Sequence, residues 1–254
     1  SMYRSVGLEP VFMDNYNVLA ALPDITDVVD GDVNTFLMMA NGTTHDPVLL
    51  QEPDYVPALE VDNTEFERNH QERFTVNGRT LKMDIYIQMT SYQTNMAALL
   101  QLGKWFDYMR ANDVYDNTRI ILVADHGRGT LFEGDEYRLG ESDMLSYYPL
   151  LMVKDFESTD FIMSEEFMTN GDVPTLAVKD IIEDPVNPFT GKIIDNSEKT
   201  EHDQYIIFSK ELDVEKNNGT TYLPAKWYSV HDDMRDADNW KLVSGEEVVL
   251  PPMK

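Results

Sequence analysis

Residues 119–127 read RIILVADHG, and no other stretch constrains this chain so tightly. Residues 120–124 are all apolar and run straight into Asp125, His126 and Gly127. A short continuous apolar run predicts a strand buried on both faces, the kind found in parallel sheets. In open α/β sheets ligands gather at the carboxyl ends of strands. A carboxylate and an imidazole at such an end are placed to share a divalent cation, because the chain is leaving the strand and its side-chain alternation breaks. Gly127 lets the backbone turn there without a Cβ clash.

The rest of the chain sets the context. Its 254 residues suffice for one large domain, and 42% hydrophobic with 11% aromatic residues are enough for a sizeable core. Acidic residues number 46 against 20 basic ones, a net charge of −26. Such a surface repels phosphate backbones, so nucleic-acid binding through a basic face is excluded. The acidity serves solubility first, and attraction of divalent cations second. Cysteine is absent, which removes disulfides, thiolate metal sites and Cys nucleophiles. No apolar run approaches the ~20 residues of a membrane span, and no signal-peptide pattern opens the chain. Ser1 and Met2 read as an added start, so the chain is expected to be a piece of something longer.

Along the chain, residues 14–31 suggest a short helix followed by turns. Residues 34–40 (NTFLMMA) predict a buried strand, followed by a polar loop that carries His45. Residues 48–82 read as irregular. From 83 to 112 the apolar positions Ile85, Met89, Tyr92, Met96, Leu99, Gly103 and Phe106 recur at three- and four-residue steps. That spacing predicts a long amphipathic helix with its Met and aromatic residues in the core. Residues 119–124 form the next strand, 128–143 a Gly-rich charged loop, and 146–154 a second apolar strand. Residues 172–183 predict a helix with Asp172 at its N-cap and Pro174 in its first turn, ended by Pro185 and Pro188. Strand-like pieces at 204–209 and 221–230, with a turn at Asn217-Asn218-Gly219, close the chain. The expected organisation is one domain, 1–254, with an α/β core over 1–200 and a small β-rich portion over 201–254. The expected fold class is α/β, with a central, mainly parallel sheet flanked by helices.

Five histidines are present, and two follow predicted strands: His126, beside a carboxylate, and His45. On parallel neighbouring strands both would emerge at one sheet edge. His70, His202 and His231 lie among charged residues and read as solvated. Arg128 could meet an anionic substrate or simply be a surface residue. Asp-His-Gly after a strand is also an ordinary turn sequence. The acids Glu133, Asp135 and Glu136 could bind cations, but acids are abundant throughout. Carboxylate and imidazole together suit Zn²⁺ or Mn²⁺. A catalytic metal usually takes three protein ligands, and this chain offers no further acid-bearing strand end.

Helix, strand, Asp-His-Gly, strand and helix in this order resemble the sulfatase branch of the alkaline phosphatase superfamily. The resemblance is carried by residues 116–127 (DNTRIILVADHG), 44–47 (THDP), 147–154 (YYPLLMVK) and 171–182 (GDVPTLAVKDII), and it spans roughly residues 33–185. It extends to the lipoteichoic-acid-synthase-like phosphoglycerol transferases and the phosphoethanolamine transferases. It implies a metal-dependent hydrolase or phosphotransferase acting on sulfate or phosphate esters. Asp125 and His126 would bind the divalent metal (Mn²⁺, Zn²⁺, Ca²⁺ or Mg²⁺). His45 would act in catalysis at the substrate's anionic group, together with Arg128. It further implies that the nucleophile and remaining metal ligands lie upstream of residue 1, because no Cys-x-Pro-Ser-Arg motif is present. This chain would then be the C-terminal part of the catalytic domain, with a parent tethered to a bacterial cell membrane by upstream helices and facing outward. The substrate would be an anionic ester of a lipid or a glycan. Two other readings stand beside it. One is a non-catalytic extracellular module binding glycan or protein, in which Asp-His-Gly is only a turn. The other is a complete small phosphodiesterase, disfavoured by the shortage of convergent ligands.

Overall fold

The structure, a computed structural model, describes residues 2–31, 33–76, 78–81, 83–129, 138–139, 142–208 and 226–244. The chain divides into two compact units: Ser1–Thr118 with Asp155–Ser158, and Arg119–Lys154 with Thr159–Lys254.

In the first unit, strand β1 (Arg4–Val6) leads into helix α1 (Pro10–Ile25). The helix starts where Pro10 fixes φ and Glu9 caps the amide of Phe12. It therefore begins before the helix expected within residues 14–31. Phe12, Tyr16, Leu19 and Leu22 form its buried stripe. Strand β2 (Glu60–Asp62) pairs antiparallel with β1. Helix α2 (Thr64–Asn69), a 3₁₀ turn (Gln71–Phe74) and the hairpin β3 (Thr75–Val76) and β4 (Arg79–Thr80) follow. The stretch expected to be irregular is thus partly ordered.

Helix α3 (Tyr86–Ala111) is the long helix that the spacing predicts. At its start Gln88 Oε1 accepts from the amides of Asp84 (2.8 Å) and Ile85 (3.2 Å). It stops in a Schellman arrangement: Val114 N donates to Met109 O, Asp113 N donates to Arg110 O, and Asp113 adopts φ 57°. Its packing face is more polar than the apolar stripe suggests. Met89, Ala97, Ala98 and Met109 are buried, but so are Gln88, Thr90, Ser91, Gln93, Thr94 and Gln101, whereas Ile85 and Leu99 are exposed. The polar groups are held by specific partners. Gln93 Oε1 accepts from Leu50 N (2.8 Å), and Gln101 donates to the Tyr16 hydroxyl (3.0 Å).

This unit contains a buried ion cluster. Arg73 reaches both oxygens of Glu52 (3.0 and 2.9 Å), also bonds Glu67, and lies over the Phe74 ring at 3.9 Å. Burial raises the Glu52 carboxyl above its ordinary value, outweighing the pull of Arg73.

In the second unit, strand β5 (Ile120–Val123) is followed by a two-residue pair, β6 (Arg138–Leu139) with β7 (Ser142–Asp143). A 3₁₀ turn (Met144–Tyr147) then precedes β8 (Leu151–Lys154). Helix α4 (Val173–Val178), helix α5 (Ser197–Glu201) and the strands β9 (Gln204–Phe208), β10 (Lys226–Val230) and β11 (Trp240–Ser244) complete it. The last three form an antiparallel sheet in the order β11-β10-β9. Met144, Tyr228, Val230 and Trp240 make its core, with Tyr147, Tyr148 and Met234 packed against them.

The expected fold class is overturned. Among the described residues the sheets contain two or three strands each, every pairing is antiparallel, and no central parallel sheet exists. Strand β5 forms where its sequence places it, but it pairs antiparallel with β8, and Val123 is exposed. A two-stranded sheet cannot cover both faces of such a run, so residues 120–122 are only half-buried. The buried strand expected at 34–40 does not form. These residues carry no regular structure, with Phe36 at 76%, Leu37 at 65% and Met38 at 84% exposure. A wholly apolar run becomes a strand only when neighbours supply hydrogen bonds and cover for both faces, and no described strand does so here.

The helix expected over 172–183 stops at Val178. Asp180 is left-handed (φ 62°), and Arg119 takes up the freed carbonyls of Leu176 and Ala177. Asp172 precedes the helix but does not cap it through its side chain. The turn expected at 217–219 and the acids Glu133, Asp135 and Glu136 lie outside the described residues.

Candidate metal centre

Asp125 and His126 emerge where β5 ends. Pairing with the β8 arm continues past the strand on either side of them, through Ala124 N to Leu150 O (2.9 Å) and Gly127 N to Ser146 O (3.0 Å). The two residues between these contacts are turned outward, with side chains 90% and 67% exposed. Gly127 anchors the turn. A Cβ there would lie 1.9 Å from the Leu145 carbonyl oxygen and 2.7 Å from that of Tyr148. The backbone of residues 145–148 is in turn fixed to the three-stranded sheet, because the Tyr148 hydroxyl bonds Met234 O and the Tyr147 ring packs on Trp240.

Hydrogen bonds orient both candidate ligands. Asp125 Oδ1 accepts from the His126 amide (3.0 Å), which leaves Oδ2 outward. His126 Nδ1 lies 2.7 Å from the Gly127 carbonyl oxygen. A carbonyl only accepts, so this contact requires the proton on Nδ1, and a neutral ring then presents a bare lone pair at Nε2. Nε2 and Asp125 Oδ2 are 3.7 Å apart. Metal–ligand bonds of about 2.0–2.2 Å allow two donor atoms on one ion to stand up to ~4 Å apart, so the pair fits a shared divalent cation. A backbone carbonyl behind Nδ1 is a common outer partner of a metal-ligating histidine. Among the described residues no group of three or more His, Asp or Glu is placed to hold a metal ion.

The other candidate residues divide between the units. Arg128 is half-buried in the second unit, one residue beyond Gly127. His45 belongs to the first unit, with its side chain 79% exposed and its Nδ1 3.1 Å from Asp46 Oδ1. Asp125, His126 and Arg128 share the second unit, and His45 belongs to the first.

Sequence reasoning passes over Asn170. Its side-chain amide donates to the carbonyls of both Ala124 and Asp125, each at 3.0 Å. It opens a 3₁₀ turn (Asn170–Asp172) in which Thr169 N and Oγ1 both donate to Asp172 Oδ2 (2.8 and 3.0 Å). Thr169-Asn-Gly-Asp172 carries the spacing of a capping box, the one signal from which this turn could have been read. No helix among the described residues is long and apolar enough to cross a membrane. Comparisons with protein-family models, curated proteins and solved structures find no match to this chain.

Proposed function

We propose that Asp125 and His126 form part of a divalent-metal site in a hydrolase or phosphotransferase that acts on sulfate or phosphate esters. One observation carries the reading. The Nδ1 contact of His126 leaves Nε2 as a bare donor, 3.7 Å from an outward carboxylate oxygen of Asp125. A divalent ion bound there would neutralise charge on the ester's oxygens and lower the pKa of a bound nucleophile. The chain's own contribution is positional: β5 and Gly127 set the backbone, and hydrogen bonds aim the carboxylate and the imidazole. Arg128, one residue beyond Gly127, would meet the anionic ester group. The substrate class comes from the resemblance of residues 116–127 and 171–182 to sulfatase-like enzymes. Two ligands are fewer than a catalytic metal usually takes, so the pair is one part of the site.

Titration with Mn²⁺ and Zn²⁺, followed by calorimetry and by the Mn²⁺ paramagnetic signal, tests this. Wild type is expected to bind one ion, and Asp125→Ala combined with His126→Ala to bind none at that site. A wild-type chain that binds no ion, or a double variant that binds as tightly, overturns the reading.

One observation favours a second reading, a non-catalytic module that binds glycan or protein. Phe36, Leu37 and Met38 in the first unit, and Phe161, Ile162 and Met163 in the second, are large apolar side chains exposed in consecutive positions. Surfaces of this kind mark contact sites more often than inert exterior. Retention on acidic or neutral glycan resins that is equal for wild type and the double variant would support it.

A further inference from the structure

We infer that Asn170 is a positioning residue for the Asp125–His126 pair. Its side-chain amide spans the two carbonyls at the end of β5, those of Ala124 and Asp125, at 3.0 Å each. These carbonyls lie on either side of the Cα from which the Asp125 side chain departs. The clamp therefore fixes the dihedrals that aim the carboxylate and, one residue on, the imidazole.

Asn170 is itself held on a buried polar platform. Asp172, two residues on in the same turn, is 8% exposed and accepts through Oδ2 from Thr169 and through Oδ1 from Asn187 Nδ2 at 2.7 Å. Asn187 is 5% exposed, and its own Oδ1 accepts from the amides of Phe189 (2.8 Å) and Thr190 (3.2 Å). Both carboxylate oxygens of Asp172, and both polar atoms of the Asn187 side chain, are thus engaged. Buried polar groups satisfied in this way hold one geometry, because any rearrangement strands a donor or an acceptor. The platform belongs to residues 169–190 and the metal pair to residues 125–126. The Asn170 side chain joins them.

Its consequence for metal affinity rests on the reading proposed above; the clamp geometry does not. Two measurements on the full chain separate them. Nitrogen NMR of the His126 ring reports which ring nitrogen carries the proton. In wild type at pH 8 the Nδ1-protonated form is expected to dominate, and in Asn170→Ala the two tautomers are expected to average as the turn loosens. Mn²⁺ affinity is expected to fall on the order of ten- to a hundredfold in Asn170→Ala, the range for loss of an outer-sphere partner. Asn170→Gln, which keeps the carboxamide, is expected to recover part of it. Should the Ala variant not fold, the near-isosteric Asn170→Asp, which loses both donors, is read by its ring-nitrogen spectrum. A variant with an unchanged His126 tautomer and unchanged Mn²⁺ affinity overturns the inference. Wild type that binds no Mn²⁺ while the tautomer shifts in the variant overturns the metal reading and leaves the clamp standing.

Discussion

Gly127 illustrates how a single residue is constrained by neighbours further along the chain, and His126 how one is set by the residue beside it. The sequence offers a simple account of Gly127, a glycine where a strand must turn. In the structure its requirement is close approach: the carbonyl oxygens of Leu145 and Tyr148 occupy the space a Cβ would need. Gly127→Ala should push the β5 end away from the 145–148 turn. Overpacking of this kind costs about 1–3 kcal/mol, and it should also tilt the Asp125–His126 pair. Denaturant unfolding would measure the first effect and Mn²⁺ titration the second. A variant as stable as wild type would mean that the two backbones do not meet. For His126, the adjacent carboxylate is visible in the sequence, but the bare Nε2 is not. That follows from the Gly127 carbonyl turning toward Nδ1.

Elements differ in how much of their stability is local. Helix α3 carries its own start and stop, a Gln88 side chain at one end and a left-handed Asp113 at the other, and so its span follows from its own residues. Its buried face does not, because Gln93 and Gln101 are buried only by virtue of partners at Leu50 and Tyr16. The Glu52–Arg73–Glu67 cluster ties the segment before β2 to the 3₁₀ turn after α2. Arg73→Ala would leave two buried carboxylates facing each other. The expected loss is about 3–5 kcal/mol, read from urea midpoints. Arg73→Lys should restore only part, since an ammonium lacks the planar fork that holds both oxygens of Glu52. Equal stability of the Ala variant would show that the cluster is not buried in solution. The opposite outcome is expected at residues 34–40. Phe36→Ser combined with Met38→Ser should change stability by no more than ~0.5 kcal/mol, as for any exposed site, and should reduce binding of a hydrophobic dye. A large destabilisation would mean that this run is buried after all.

For the molecule as a whole, the net charge of −26 is the strongest influence on how stability responds to salt. Like charges repel within each compact unit, and salt screens them over a distance of about 10 Å at 0.1 M. The thermal midpoint should therefore rise as NaCl is raised from 10 mM to 300 mM (roughly a fivefold fall in screening length). A flat or falling midpoint would mean that local ion pairs such as Arg4–Asp62 outweigh the general repulsion. Arg4 and the Thr64 hydroxyl and amide hold the Asp62 carboxyl down at about 2, with Thr64 the larger cause. Its contribution is present above the ordinary carboxylate range and is lost only as pH falls toward that value.

By itself the sequence determines whatever is settled within a few residues. It fixes the span of α3, the capping-box spacing ahead of α4, and the adjacency of a carboxylate and an imidazole after an apolar run. Each depends on hydrogen bonds or side-chain spacing over one or two turns of chain. Tertiary structure alone decides that β5 runs antiparallel to β8, that residues 34–40 stay uncovered, that Gly127 lies against residues 145–148, and that Asn170 reaches the β5 end. These depend on which distant backbone supplies the missing hydrogen bonds and cover. An apolar run signals that it needs burial, but the strand or face that will bury it is encoded elsewhere in the chain.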